Sequence, residues 1–287
     1  MKPGQSSQTA VIVCMGRAAA HGATSVAKFS DPTALALLPA EARAQVERFR
    51  AGVLEGGVRA RVARSVLDRR AKMMIARTVA IDEAVRAAAS PQVVILGAGL
   101  DGRAWRMPEL RDAVVFEVDH PDSQRDKRAR IATLTQAARD VRFVPVDFVR
   151  DKLDDALSAA GHDPTRATTW IWEGVVMYLT LAEVEATLAV IARRSAAASR
   201  LIITYHRPAI LLHLLGFLVR RIGEPLRSTF TAQSMRALLA KHGFLVIRDE
   251  DLPAIGAALA ADVGQATQVM KHTRIVTAER STPPDRP

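Results

Sequence analysis

Two short sequences decide the fold: VVILGAGLDG at residues 93–102 and VVFEVD at residues 114–119. Both contain apolar runs rich in β-branched residues, which are typical of parallel strands buried on both faces. The glycines between them permit backbone torsions and close ligand approach that a Cβ atom would obstruct. Glu117 and Asp119 share one face of the second strand, where a carboxylate can accept hydrogen bonds from a ribose. Together these features predict a nucleotide-binding pocket.

The glycine turn matches two cofactor classes. Residues 97–102 satisfy the G-x-G-x-x-G pattern, and Glu117 follows about 20 residues later, as in NAD-binding proteins. A diphosphate would bind the N–H groups at the start of the next helix. Asp101 places a carboxylate there, which we expect to repel a diphosphate and to pair with a cation. This favours S-adenosyl-L-methionine, which carries an ammonium group, and leaves NAD as the alternative.

Composition favours a single enzyme domain. With 287 residues and 49% hydrophobic content, the chain can bury a large core. No apolar run approaches the roughly 20 residues that span a bilayer. Cys14 is the only cysteine, so no internal disulfide can form, which fits a reducing compartment. We therefore expect a cytoplasmic protein that does not enter the membrane.

The net charge of +10 raises the possibility of a nucleic-acid partner. Arginine supplies most of this charge, together with abundant alanine. The arginine clusters lack interleaved aromatic residues that could stack on bases, and aromatics make up only 5% of the chain. Nucleic acid is therefore a disfavoured partner.

Strand and helix patterns alternate along the chain. Strands are predicted at residues 93–96, 114–118, 141–146, 168–172, 201–205, 244–247 and 274–277. This alternation predicts an α/β fold, a doubly wound and mostly parallel sheet with right-handed crossovers.

One domain is expected over residues 1–287. Its parts are a helical N-terminal cap at 1–90, a cofactor-binding core at 91–206, a helical insertion after the fifth strand at 207–227, and the remaining sheet at 228–280. The apolar stretch 210–219 within the insertion suggests a hydrophobic acceptor, although it could equally pack between two copies in a homodimer.

Ligands of such sheets bind beyond the carboxyl ends of the strands. Polar or aromatic residues stand at these ends: Asp119, Asp147, Phe148, Glu173, Tyr178 and His206. Each also has a structural alternative, since an acid can cap a helix and an aromatic ring can belong to the core. No spacing of His, Cys or Asp indicates a metal site.

Four phrases occur in an order that resembles the leucine carboxyl methyltransferase family of S-adenosylmethionine-dependent O-methyltransferases, especially its bacterial small-molecule branch. They are VVILGAGLDGRAWRM, VFEVDHPDSQRDKRAR, VPVDF and WIWEGVVMYLT, and the resemblance extends from Arg17 to Phe244. It implies a seven-stranded class I methyltransferase fold, Rossmann-like, with a helical cap. It also implies methyl transfer to carboxylates, including a protein C-terminus in some members and polyketide acids in some bacterial ones.

The resemblance also implies roles for individual residues. Gly97, Ala98, Gly99 and Asp101 would hold the methionyl group, Asp119 the ribose, and Asp147 with Phe148 would border adenine. Glu173 would close the pocket near the methionyl group. Arg17 and Arg77 best match the basic residues that hold the cofactor carboxylate. Gly102 departs from the usual threonine, which either loosens the turn or makes room.

The acceptor group determines whether a base is needed. A carboxylic acid, with a pKa of about 4, is already ionised at neutral pH, so the enzyme would supply alignment and desolvation. A phenol, with a pKa of about 10, would need a base such as His206. The candidates for the acceptor site are Tyr178, Tyr205, His206 and Arg207, and Arg207 can bind a carboxylate with two N–H groups.

We expect an S-adenosylmethionine-dependent O-methyltransferase that acts on a small-molecule acceptor, a hydrophobic carboxylic acid. A phenol or alcohol methyltransferase, an NAD-linked oxidoreductase and a noncatalytic cofactor-binding module remain as alternatives.

Overall fold

A computed structural model describes residues 7–53, 57–147, 150–208 and 226–281. Phe148 and residues 209–225 of the predicted insertion lie outside these ranges.

Seven strands form one sheet in the order β3-β2-β1-β4-β5-β7-β6. They are β1 (Gln92–Leu96), β2 (Val114–Asp119), β3 (Asp140–Pro145), β4 (Thr168–Trp172), β5 (Arg200–His206), β6 (Phe244–Asp251) and β7 (Thr273–Arg280). Strand β7 is antiparallel to both of its neighbours, and the remaining pairs are parallel. This confirms the predicted seven-stranded, mostly parallel sheet. The order reverses between β1 and β4, so a crevice opens where these two strands end.

Helices cover both faces of the sheet. They are α1 (Gln8–Ala20), α2 (Ala34–Leu37), α3 (Ala40–Arg50), α4 (Gly57–Ala88), α5 (Arg103–Arg106), α6 (Pro121–Ile131), α7 (Leu153–Ala159), α8 (Leu181–Arg193), α9 (Ala232–Lys241), α10 (Leu252–Leu259) and α11 (Ala261–Thr267). Helices α1–α6, α10 and α11 contribute to the core on one face, and α7–α9 contribute to the core on the other. The N-terminal helices α1–α4 therefore pack on one face of the sheet.

Some predicted boundaries differ from the structure. The last two strands, predicted over four residues each, extend to eight residues. Strand β6 lies at the edge of the sheet and ends in charged residues, so its apolar pattern covers only its first half. Backbone pairing with β7, rather than side-chain burial, sets its length.

A buried ion pair joins β2 to α6. The Lys127 Nζ lies 2.7 and 2.6 Å from the two carboxylate oxygens of Glu117, and both side chains are 1% exposed. The Lys127 ammonium also lies 4.8 Å from the centre of the Trp105 ring. Burial raises the pKa of Glu117 to about 7, although Lys127 acts in the opposite direction. Glu117 is therefore unavailable to a ribose, and Asp119 is the acid of this strand that remains for a ligand.

Replacing Glu117 by Gln should change how stability depends on pH. Because its pKa is raised in the native protein, Glu117 contributes stability that is fully present below pH 4.5 and is lost as the pH rises through about 7. The wild type should therefore lose unfolding free energy relative to the Glu117→Gln variant over this range. Urea unfolding from about pH 5 to about pH 7.5 measures the difference.

The substitution also leaves Lys127 buried without its partner, at a cost of about 3–5 kcal/mol. The double variant Glu117→Gln/Lys127→Met removes that unpaired cation and serves as the control, which should regain stability and keep the altered pH profile. A stability difference between wild type and Glu117→Gln that stays constant with pH would contradict the prediction.

Candidate cofactor and acceptor site

The turn after β1 requires glycine at two positions. Gly97 has φ +69° and Gly99 has φ +48°. A Cβ atom on Gly97 would lie 2.5 Å from Cγ2 of Val175, in the segment after β4. The N–H groups of Gly97 and Ala98 donate to the Val118 carbonyl at 2.8 and 3.1 Å. The turn is thus held against β2, with no space for larger residues.

Asp119 lies beside this turn at the end of β2. One carboxylate oxygen accepts the Gly99 N–H, and the other accepts the His120 N–H at 2.6 Å. Burial raises its pKa despite these two backbone hydrogen bonds. Within the described ranges, Asp119 forms no salt bridge. Its contact with a ribose stays a prediction.

Asp101 does not present the free negative charge that the sequence suggested. The Arg103 backbone N–H donates to Asp101 Oδ1 at 2.7 Å, and Arg103 Nη1 donates to Asp101 Oδ2. Burial alone would raise the pKa of Asp101, but Arg103 and Lys127 lower it to about 2. The carboxylate is therefore ionised, and the positive charge of Arg103 offsets its own. This weakens the expected repulsion of a diphosphate by Asp101.

Arg103, which the sequence reasoning missed, is the centre of a buried ion-pair network. Its Nε donates to Asp82 Oδ1 at 2.8 Å, and its Nη1 also donates to Glu173 Oε2 at 2.9 Å. The network contains four arginines and four acids: Arg17, Arg77, Arg103, Arg106, Asp31, Asp82, Asp101 and Glu173. Its charges balance, so it offers no excess of positive charge to a polyanion.

The two arginines predicted to hold the cofactor carboxylate differ in their contacts. Arg17 donates from Nε to Asp31 Oδ2 at 2.8 Å and from Nη2 to the Leu100 carbonyl at 2.5 Å. Arg77 Nε lies 2.7 Å from Glu173 Oε1 in an ion pair that lacks the alignment of a hydrogen bond. Arg17 therefore supports the turn, whereas Arg77 pairs with Glu173 alone among the described acids.

Three of the four predicted acceptor-site residues lie at the carboxyl ends of β4 and β5. Tyr178 ends a short 3-10 turn at Val176–Tyr178 after β4. His206 is the last residue of β5, where burial, Arg77 and His272 lower its pKa to about 4. Arg207 follows with an exposed side chain, and its backbone N–H donates to the His272 carbonyl at 2.7 Å.

Tyr205 does not belong to this group. Its side chain is 0% exposed and lies in the core on the opposite face of the sheet, with Trp172. Its hydroxyl donates to Asp249 Oδ2 at 2.8 Å, and Arg274 pairs with the same carboxylate. Because successive residues of a strand point to opposite faces, Tyr205 and His206 cannot both face the crevice. The prediction for Tyr205 is corrected accordingly.

Asp147 lies just beyond β3, at the edge expected for an adenine neighbour. Its backbone N–H donates to Asp151 Oδ2 at 2.8 Å. Its carboxylate lies 3.7 Å from Arg150 Nε. The turn orients it, and a contact with adenine stays a prediction.

Other chemistry finds little support among the described residues. They contain no group of three side chains that could hold a metal ion. None of their helices is long and apolar enough to cross a membrane. A groove of about 340 Å³ lies between α4 and strands β6 and β7, but no residue of the ion-pair network lines it.

Gly102 makes room for the N-terminal segment. A Cβ atom at this position would lie 2.1 Å from Thr33 Oγ1, and the next atoms, from Leu37 and Asp31, would lie 3.3 and 3.4 Å away. The Thr33 hydroxyl in turn donates to Asp31 Oδ1 at 2.8 Å. The sequence left open whether Gly102 loosens the turn or makes room. The structure supports the second, because Thr33 occupies the space beside the turn.

Replacing Gly102 by Thr should therefore destabilise the protein by about 1–3 kcal/mol, because the new side chain overlaps the Thr33 hydroxyl. Adding Thr33→Ala should recover part of that loss, since the remaining neighbours lie beyond 3.2 Å. Thermal unfolding of both variants, with Thr33→Ala alone as the control, measures the coupling. Losses that simply add would show that Thr33 is not the obstacle.

Comparisons with known proteins agree with this architecture. A family model described as leucine carboxyl methyltransferase matches residues 10–192. A putative S-adenosyl-L-methionine-dependent methyltransferase of Mycolicibacterium gilvum is 35% identical over 274 residues, which cover 93% of this chain and 80% of that protein. A similarly named protein of Frankia alni is 38% identical over 180 residues, which cover 61% of this chain and 60% of that protein.

Among solved structures, a DUF574 family protein from Streptomyces avermitilis aligns with a TM-score of 0.57 at 13% identity, covering 97% of this chain and 99% of that one. At this identity the likeness shows the fold alone.

Proposed function

The chain belongs to the leucine carboxyl methyltransferase family and is an S-adenosyl-L-methionine-dependent methyltransferase, and on this premise we propose that it methylates a carboxylate of a small hydrophobic acceptor. S-adenosylmethionine supplies a methyl group on a sulfonium, which a carboxylate can accept without any proton transfer. The residues of the crevice would bind, orient and desolvate the two partners.

The methionyl end of the cofactor is a zwitterion, and the crevice offers complementary groups. Arg77 would bind its carboxylate, because this guanidinium forms a salt bridge with a single described acid, Glu173, at the end of β4. Glu173 would accept its ammonium group at the end of β4. The N–H and C=O groups of Gly97, Ala98 and Gly99 would border the same part, and Arg17 would act as a positioning residue through the Leu100 carbonyl.

The remaining cofactor contacts follow from the strand ends. Asp119 would accept the ribose hydroxyls, since it forms no ion pair with a described residue and already lies against Gly99. Asp147 would lie near adenine. The NAD alternative is dropped, because the relatives are named for S-adenosylmethionine and because Glu117 is sequestered by Lys127.

The environment of His206, which is buried at the end of β5 near Arg77 and His272, supports the choice of a carboxylate as the acceptor. With a pKa of about 4, His206 is neutral at neutral pH but is a poor acceptor for a proton. Its pKa lies about six units below that of a phenol, so general-base catalysis on a phenol would be inefficient. A carboxylate needs no such base. Arg207 and Tyr178, at the same strand ends, would orient it, with Arg207 donating to its oxygens.

The product should be a methyl ester. With radiolabelled S-adenosylmethionine and a panel of apolar carboxylic acids and matched phenols, we expect label in base-labile products of the acids. His206→Ala should retain activity within about threefold, because no proton moves to this side chain. The rate should also be nearly constant from about pH 6 to about pH 8, where the acid is ionised and His206 is neutral.

Alkali-stable ethers from the phenols, together with a loss of more than about 100-fold in His206→Ala, would instead establish His206 as a base for a hydroxyl acceptor. Release of no S-adenosylhomocysteine with any acceptor would favour a binding module.

Arg77 should contribute to cofactor affinity through the carboxylate. We expect Arg77→Gln to weaken S-adenosylhomocysteine binding by about 10–100-fold, as for the loss of a charged hydrogen-bond partner. Binding of 5′-methylthioadenosine, which lacks the amino-acid portion, should change little. Arg86→Gln is the matched control, because Arg86 lies on the same helix and pairs with Glu109 at the surface. Isothermal titration calorimetry gives the dissociation constants of both ligands for the wild type and the two variants. Equal weakening of both ligands in Arg77→Gln would count against this assignment.

A further inference from the structure

We propose that Arg103 determines the charge specificity of the methionyl site, so that the crevice selects a ligand with both an ammonium and a carboxylate over one with an ammonium alone. This inference rests on the proposed placement of the methionyl group between Arg77 and Glu173. It concerns a residue that is positioned to act through two acids rather than through the reacting atoms.

One guanidinium joins three elements of the fold. Arg103 Nη1 donates to both Asp101, in the turn after β1, and Glu173, at the end of β4. Its Nε donates to Asp82 on α4 at 2.8 Å, and its side chain is only 3% exposed. A lysine could not replace these contacts, because an ammonium is a compact charge without the planar fork of a guanidinium.

The position of Arg103 decides the charge balance nearest the turn. Asp101 and Glu173 are two buried acids, and Arg77 and Arg103 are the two cations that touch them. A zwitterion adds one charge of each sign and leaves this balance intact. Without Arg103, Asp101 would have no salt-bridge partner among the described residues, and Glu173 would keep only Arg77. The excess of negative charge would then favour a ligand that brings an ammonium group only. Such an effect is large because buried charges are weakly screened.

Arg106 provides a matched comparison within the same network. Its Nη atoms donate to Asp82 at 2.6 and 2.9 Å, and its side chain is also 3% exposed. Its remaining acid partner is Asp31, and it forms no salt bridge with Asp101 or Glu173 in the described part of the chain. Removing Arg106 therefore disturbs a buried arginine of the network without releasing either acid of the methionyl site.

Three nucleosides separate the contributions. S-adenosylhomocysteine carries both charged groups, its aminopropyl analogue, 5′-deoxy-5′-(3-aminopropylthio)adenosine, carries only the ammonium, and 5′-methylthioadenosine carries neither. Calorimetry gives the dissociation constants for the wild type and for each variant. The diagnostic quantity is the dissociation constant of the aminopropyl analogue divided by that of S-adenosylhomocysteine.

In Arg103→Gln this ratio should fall by about tenfold or more, while affinity for 5′-methylthioadenosine changes by less than about threefold. Arg106→Gln should leave the ratio unchanged. Asp101→Asn should raise the ratio, because it removes one acid and leaves both cations. The double variant Arg103→Gln/Asp101→Asn restores equal numbers of charges and should return the ratio toward the wild-type value.

Opposite shifts in the two single variants that cancel in the double variant would establish the proposal. Equal weakening of all three nucleosides in Arg103→Gln, or an unchanged ratio, would overturn it and leave Arg103 a purely structural residue. If Arg103→Gln does not fold, Asp101→Asn decides alone, since an unchanged or lowered ratio there contradicts the proposal. A wild type that binds S-adenosylhomocysteine no better than 5′-methylthioadenosine would refute the placement of the methionyl group itself.

Discussion

The salt bridges of Arg103 hold together the segments from which the crevice is built. Asp101 follows β1, Glu173 follows β4, and Asp82 belongs to the long helix that covers one face of the sheet. The sheet alone brings the ends of β1 and β4 together, because these strands are neighbours. It does not determine the distance between the loops beyond them. That distance is fixed by Arg103, whose guanidinium binds one acid from each loop.

The glycine turn and the charge network contribute differently to cofactor binding. The positive φ angles of Gly97 and Gly99 shape a backbone that many nucleotide-binding proteins share, and they explain the first two glycines of the dinucleotide pattern. The third, Gly102, makes room for Thr33. The chemistry that separates one cofactor class from another lies in the side chains around the turn. Here they form a balanced set of arginines and acids, which complements a zwitterion and offers a diphosphate no excess of cations.

The strands, the turn and the acids at the strand ends could be predicted from the sequence, because each depends on local patterns and on one rule about where parallel strands end. Partners distant in the chain could not. Nothing near Asp101 shows that Arg103 folds back onto it, or that Glu173, 70 residues onward, shares the same guanidinium. Tyr205 is a different case. The alternation of side chains along a strand already predicts that Tyr205 and His206 point to opposite faces of the sheet. Its partner, Asp249, is 44 residues away.

Burying so many charges demands a reason other than stability. Replacing a buried ion pair with apolar residues of similar size is often neutral or stabilising, because desolvation offsets the attraction between the charges. The network therefore gains its value from orientation. Donors and acceptors that are already fixed by one another need no reorganisation when a charged ligand arrives. Arg77 and Arg106 each have a buried Nε that makes no hydrogen bond with a described residue. Of the two, Arg77 is the one that pairs with Glu173, with its Nε 2.7 Å from Oε1. Its guanidinium therefore lies beside the proposed methionyl site, where a ligand carboxylate would add a second partner.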